Sequence, residues 1–273
     1  MRSPVKKGGW GALGRGGAVF LAGVALSFAV SSQAGEPADM VLIRAGEFLM
    51  GSPEGQGRRD EHPQHQVYLD AYWIDRYEVT GGDFEHYLAE QPQQHPTITG
   101  WHGRKVRPGM EHKPVIGLTW KRCRNYCLWR GKRLPTEAEW ERAGGGVHHR
   151  IYPWGEVPPD TRRAHFNRCC FIDKGDILRE VGSLERGKTP EGVYEMSGNI
   201  AEWVFDWYDA HYYQTSPYKN PKGPPKGKYH VIRGGAWNSL SNYMRVSHRY
   251  GQNDGQDFYG IGCRCAKSHN TRE

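Results

Sequence analysis

Long apolar runs, internal repeats and metal-binding signatures are all scarce in this 273-residue chain. Its one extended apolar stretch, Ala18 to Val30, falls short of the ~20 residues that a membrane-spanning helix needs. No fixed period recurs, which excludes solenoids and propellers, and no low-complexity tract is long enough to join two domains. Neither C-x-x-C nor H-E-x-x-H occurs, so the common zinc spacings are missing. Glu61-His62-x-x-His65 has its histidines three apart, and His148-His149 stands beside glycines with no third ligand. Both read as solvated loop histidines.

A large charge excess is missing too, once the first residues are set aside. Arg2, Lys6, Lys7 and Arg15 precede or flank the apolar run, and Ser32-Gln33-Ala34 follows it as a small-residue cleavage site. That order is the signature of a secretory leader, expected at residues 1–34. Taking the leader's four bases from 37 Lys+Arg leaves 33 against 30 Asp+Glu. So mild a balance gives no basis for nucleic-acid binding. The expected mature chain, residues 35–273, is a size that one domain accommodates. After cleavage it has no transmembrane segment, and a periplasmic or secreted monomer is expected.

Six cysteines, Cys123, Cys127, Cys169, Cys170, Cys263 and Cys265, all fall in the mature part, where an oxidising compartment permits disulfides. Adjacent Cys169-Cys170 and Cys263-x-Cys265 are poor internal pairs, because near neighbours rarely reach disulfide geometry. Bridges from Cys123 or Cys127 to the distant pairs are the better expectation; the spacing alone leaves the partners open.

Glycine and aromatic residues are abundant: 36 Gly, 10 Trp and 15 Tyr. They predict much loop, tight turns and ring packing. Met40 to Met50 predicts a hairpin turning at Ala45-Gly46, and Val67 to Ile74 a strand. Thr80 is placed to cap a helix through Tyr87, with Phe84 and Tyr87 inward. Residues 90–113 read as a surface excursion. Thr119 caps a helix carrying Trp120, Cys123 and Cys127 on one face and closing at Arg130-Gly131. Thr136 and Glu139 form a capping box for a helix ending at Gly144-Gly145-Gly146. Beyond Tyr152 short strands and loops are expected, with a Pro/Lys/Gly-rich excursion from Pro217 to Lys228.

Several motifs then fall in order along nearly the whole mature chain. They are Phe48-Leu49-Met50-Gly51-Ser52, Glu78-Val79-Thr80, Gly131-Lys132-Arg133-Leu134-Pro135-Thr136-Glu137-Ala138-Glu139-Trp140-Glu141 and Tyr152-Pro153-Trp154-Gly155. Gly198-Asn199-Ile200-Ala201-Glu202-Trp203, Arg233-Gly234-Gly235 and Gly262-Cys263-Arg264-Cys265-Ala266 follow. Together they resemble the formylglycine-generating enzyme (sulfatase-modifying factor) family. The resemblance implies an α+β fold with little regular secondary structure, related to C-type lectins.

It also implies a chemistry, and a departure from it. Enzymes of the family oxidise a sulfatase cysteine to formylglycine with oxygen and a copper ion held by two cysteines, five residues apart after the R-G-G motif. Here the matching positions are Ser239 and Met244, and Ala236 replaces the serine after R-G-G. Copper(I) needs soft sulfur ligands, and neither side chain can exchange disulfides with a substrate. A copper-dependent formylglycine reaction is therefore not expected. The corresponding pocket would be lined by Trp237, Asn238, Ser239, Tyr243, Met244, Arg245 and Arg249, with His248 the candidate acid or base.

By the same resemblance, Glu195 and Glu202 with the carbonyls of Gly198 and Ile200 would hold calcium, an ion that favours oxygen donors. A looser second calcium site would use Asn167, Asp173 and Asp176. The functional expectation is a maturation factor that modifies or assembles another periplasmic protein or a peptide-derived product. The alternative is a non-catalytic, lectin-like binding module for a protein or small ligand.

Overall fold

Three capped helices and eleven short strands carry the chain through the described residues, 38–94, 101–168, 177–254 and 259–269 of the computed structural model. All fall within one compact unit, Pro37–Glu273. Among these residues no helix is long and apolar enough to cross a membrane. The residues expected to form the leader lie outside the described part.

β1 (Met40–Ile43) and β2 (Gly46–Met50) are both strands, yet they do not pair with each other as a hairpin. The chain turns at Arg44-Ala45 and changes sheet. β2 pairs with β3 (His65–Leu69), whereas β1 pairs with β4 (Tyr72–Asp75). The strand expected over Val67 to Ile74 is thus two strands. They part at Asp70-Ala71, where the Asp70 amide donates to Asn220 Oδ1 at 2.9 Å.

α1 (Gly81–Glu90) follows Thr80, whose side chain and that of Asp83 form a capping box; Phe84, Tyr87 and Leu88 are buried. A small ribbon of β5 (Trp101–His102) and β6 (Lys105–Val106) interrupts the surface excursion. α2 (Trp120–Trp129) is capped by Thr119 and buries Cys123, Tyr126 and Cys127. α3 (Glu137–Gly145) has the Thr136/Glu139 capping box and ends at Gly146 with φ 71°. The capping boxes satisfy amide donors that each helix start leaves open.

β7 (Ala201–Trp207) is the spine of the largest sheet, ordered β10-β7-β8-β9 with β8 (His230–Arg233), β9 (Arg249–Gln252) and β10 (Ile261–Gly262). β11 (Ala266–Ser268) returns to β4, completing a β1-β4-β11 sheet. One apolar cluster fills the space between α1, α2 and β7, with Trp203 and both Cys127 and Cys265 fully buried. A second packs β1 to β4 against α3 around Trp140. Cys127 and Cys265 form a disulfide, tying α2 to the link between β10 and β11. Short strands, aromatic cores and long connections make this a mixed α+β fold of the C-type-lectin-like kind.

Candidate functional site

The cavity of interest opens where the chain leaves β8. Gly235 sits there at φ +68°, and a Cβ on it would fall 2.4 Å from Met244 Cε and 3.4 Å from Ser239 Oγ. Only glycine fits so close an approach. The positions that bear cysteines in the copper enzymes thus converge on one backbone point. Ser239 Oγ accepts the Ala236 amide at 2.9 Å, and the loop is held below by Asn167 N donating to Ser239 O (2.9 Å) and Arg168 N to Trp237 O (2.7 Å).

A space of about 410 Å³ lies against this loop, with Asn238, Ser239, Tyr243 and His248 in its wall alongside Arg58 and Tyr250. An adjoining space of about 440 Å³ shares Arg58 and Tyr250 and adds Tyr208, Tyr229 and Asn253. The result is a tyrosine-rich groove with Arg58, which lines both spaces, at its waist. Arg58 donates its Nε to Asp60 Oδ1 at 3.2 Å, and its side chain stays half exposed.

Four of the expected lining residues are elsewhere. Trp237 is a core ring, 4 % exposed, covering Gly260. Met244 has no exposed surface. Arg245 donates to Glu61 at 2.6 and 2.7 Å, and Arg249 forks onto Glu137 at 2.7 Å through both Nε and a terminal nitrogen. The reason is electrostatic: Glu61 and Glu137 are buried, and a buried carboxylate needs a cation beside it. The partners are more than 100 residues apart in the chain, where no local pattern reveals them.

His248 is buried and meets the Tyr243 ring edge-on, with centroids 4.9 Å apart. Burial lowers its pKa to about 4, while Glu61 favours and Arg233, Arg245 and Arg58 oppose a positive charge there. Its Nε2 is enclosed and has no hydrogen-bond partner among the described residues. At neutral pH the ring is uncharged and a weak base.

The acidic site takes a different form from that expected. Glu202 accepts the Arg264 fork at 2.8 and 2.7 Å and Trp140 Nε1 at 2.8 Å, which occupies both its oxygens. Glu195, at φ 51°, accepts the Gly182 amide at 3.0 Å. A third carboxylate joins them. Glu78 Oε2 accepts Asn199 Nδ2 at 2.6 Å and its Oε1 the Ile200 amide at 3.2 Å. Burial, with Glu195 and Glu202 nearby, holds the Glu78 pKa well above the usual carboxylate range, and burial raises Glu195 to about 7. Gly198 has φ +87° and passes so near His165 that a Cβ would lie 2.6 Å from that carbonyl oxygen. Of the looser calcium set, Asn167 supports the Ser239 loop, and Asp173 and Asp176 lie outside the described residues. Glu78 was visible in the sequence within Glu78-Val79-Thr80, but its distance from residue 195 hid its role.

A further space of about 480 Å³ lies away from these groups, beside Tyr72, Arg124, Leu128 and Phe205. None of the expected site residues reaches it.

Comparison with known proteins fits this geometry. The model of the sulfatase-modifying factor enzyme 1-like domain matches residues 27–269. The chain belongs to that family. It is 31% identical to the formylglycine-generating enzyme of Bos taurus over 287 residues, covering 85% of this chain and 75% of that protein. A serine/threonine-protein kinase pkn1 of Chlamydia pneumoniae is 38% identical over 248 residues, 85% of this chain. The chain spans only 38% of that relative's length. Among solved structures, PvdO from Pseudomonas aeruginosa superposes with a TM-score of 0.70 at 26% identity, covering 84% of this chain and 94% of PvdO.

Proposed function

We propose that the chain is an exported maturation factor, which uses the groove beside Ser239 and Tyr243 to modify or assemble another protein or a peptide-derived product without copper. The observation that carries the reading is the convergence of Ser239 and Met244 on Gly235, with no thiol at either position. A hydroxyl and a thioether stand where a soft metal would need sulfur pairs. The groove's tyrosines and its half-exposed Arg58 favour an extended ligand with aromatic and acidic groups. Capture of partners from a periplasmic extract, followed by intact-mass analysis before and after incubation, tests the proposal. A reproducible mass change that disappears in Arg58→Gln/Tyr250→Ala supports modification. Unaltered partners in a deletion strain sink it.

A second reading, a non-catalytic binding module, has one specific observation in its favour. Among the described residues, the wall of the 410 Å³ space carries no carboxylate, and its histidine is neutral at pH 7 and enclosed. Proton transfer there has few candidates. Stable capture without mass change selects this reading.

The acid cluster is the proposed calcium seat. Glu78 and Glu195 would supply the carboxylates by giving up their protons to the ion, Glu202 is paired with Arg264, and the carbonyls of Gly198 and Ile200 would be the neutral donors of the same segment. Hard oxygen donors with surplus charge suit calcium. Bound there, the ion would fix the turn between Glu195 and Glu202, whose next residues lead into β7 and the groove.

A further inference from the structure

The sequence-distant cysteines form a ladder of which the structure closes one rung. Cys127 is bonded to Cys265, while Cys123 and Cys263 are free and fully buried in the same apolar cluster. Cys123 precedes Cys127 by one helical turn, a rise of about 6 Å. Cys263 precedes Cys265 by two residues, about 6.7 Å if extended. Both steps run in the same chain direction, so closing one rung brings the second pair of sulfurs level. The free thiols touch, with a hydrogen bond between them. Alternation turns Arg264 away from them, onto Glu202.

We propose that Cys123 and Cys263 are a site of oxidative cross-linking that closes a second rung parallel to the first. The oxidant is a disulfide-bearing thiol oxidant of an oxidising compartment. One cysteine thiolate attacks the oxidant's S–S bond and releases a thiol. The other cysteine then attacks the mixed disulfide, forming Cys123–Cys263 and releasing the second thiol. Two cysteine thiols are oxidised, one oxidant disulfide is reduced, and the two protons end on the released thiols. Both thiols are 0 % exposed, so the reaction belongs to folding or to transient opening of α2 rather than to the closed protein.

The rungs are mutually redundant. Either one closes a loop of nearly the same length, 138 residues for the observed bridge. With one in place, the other constrains only the few residues between them. Chain entropy therefore makes the first rung worth more than the second, whichever forms first.

The test is a non-reducing peptide map of the full chain after refolding with oxidised glutathione, free thiols blocked with N-ethylmaleimide. Trypsin cuts after Arg124 and Arg264, which separates the two rungs into different linked peptides. Expected is a peptide joining Cys123 to Cys263 beside one joining Cys127 to Cys265. Recovery of Cys123 and Cys263 fully alkylated, or crossed pairing, overturns the proposal. A second arm uses Cys127→Ala/Cys265→Ala. Oxidation should raise its melting temperature by on the order of 10 °C, and adding Cys123→Ala should abolish that rise. An unchanged melting temperature on oxidation counts against the second rung. If the double variant does not fold, the wild-type map decides alone.

Discussion

Two buried charge networks meet at β7, one through Asp206 and one through Glu202, and they differ in one respect. In the first, Glu137 and Glu141 of α3 meet Arg233 and Arg249, with contacts of 2.5 to 2.9 Å. Two carboxylates face two guanidinium groups. Burial pushes Glu137 up, yet Arg249 and Arg233 hold it below its ordinary value. A third carboxyl beside them, Asp206, is pushed well up by burial and by Glu137. In the second, Glu78, Glu195 and Glu202 gather about Arg264, which among the described residues forks onto Glu202. Glu78 and Glu195 are both pushed up. Balanced burial serves the fold, since each group finds its partner within the protein. Unbalanced burial leaves a place for a proton or a cation from outside.

The largest expected effect comes from unbalancing the balanced side. Arg233→Met keeps side-chain bulk but strands Glu141 and half of Glu137. Breaking a buried pair from one side costs about 3–5 kcal/mol, because the remaining charge is uncompensated. Urea denaturation should show that loss, and Arg233→Met/Glu141→Gln should recover part of it. A cost under about 1 kcal/mol for the single change, well below that range, would mean that water reaches the network.

pH sharpens the contrast. Glu195 has a folded pKa of about 7 against an ordinary value of 4.5. The folded state holds a proton that the unfolded chain releases, so stability from this group is full below 4.5 and is lost as pH rises to 7. The span corresponds to roughly 3 kcal/mol at ~1.4 kcal/mol per unit. His248 acts in the opposite sense: its folded pKa of about 4 lies below 6.5, so its contribution is present above 6.5 and lost as pH falls toward 4. The two slopes oppose each other in the wild type. Denaturation of Glu195→Gln across pH 4.5 to 8 isolates the first. If the difference curve is flat, Glu195 is not the buried acid described.

How much of this was legible beforehand depends on distance along the chain. The three helices were readable because caps act locally: Thr80, Thr119 and Thr136 each bind an amide three residues on. The family was readable from ordered motifs, which also matched Ser239 and Met244 to its paired cysteine positions. The hairpin at Ala45-Gly46 failed because pattern shows that β1 and β2 are strands, not which sheet each joins. Trp237 and Arg249 were misplaced for a related reason. Their residue types suit a pocket, but Gly260 and Glu137 claim them from afar. Arg58 gave no signal at all, lying in a polar loop 150 residues from the tyrosines it meets at the groove's waist; Tyr208 is the nearest in sequence of those.

The smallest expected effect asks what fills the unbalanced side. If calcium sits on Glu78 and Glu195, adding it at about a hundred times its dissociation constant stabilises the fold by about 2.7 kcal/mol. For a domain of this size that is roughly 5–10 °C in melting temperature. The shift should be largest near pH 8, where Glu195 is ionised, and should shrink below pH 7 as a proton competes for the same carboxylate. Glu78→Gln should remove most of the response while leaving the Arg264–Glu202 pair intact. Magnesium separates the explanations further. It demands tighter octahedral geometry and gives up water reluctantly, so a seat built from long glutamate arms and carbonyls should answer to calcium and scarcely to magnesium. Equal responses to both ions, surviving in Glu78→Gln, would place the effect on surface charge and leave the cluster as a store for protons alone.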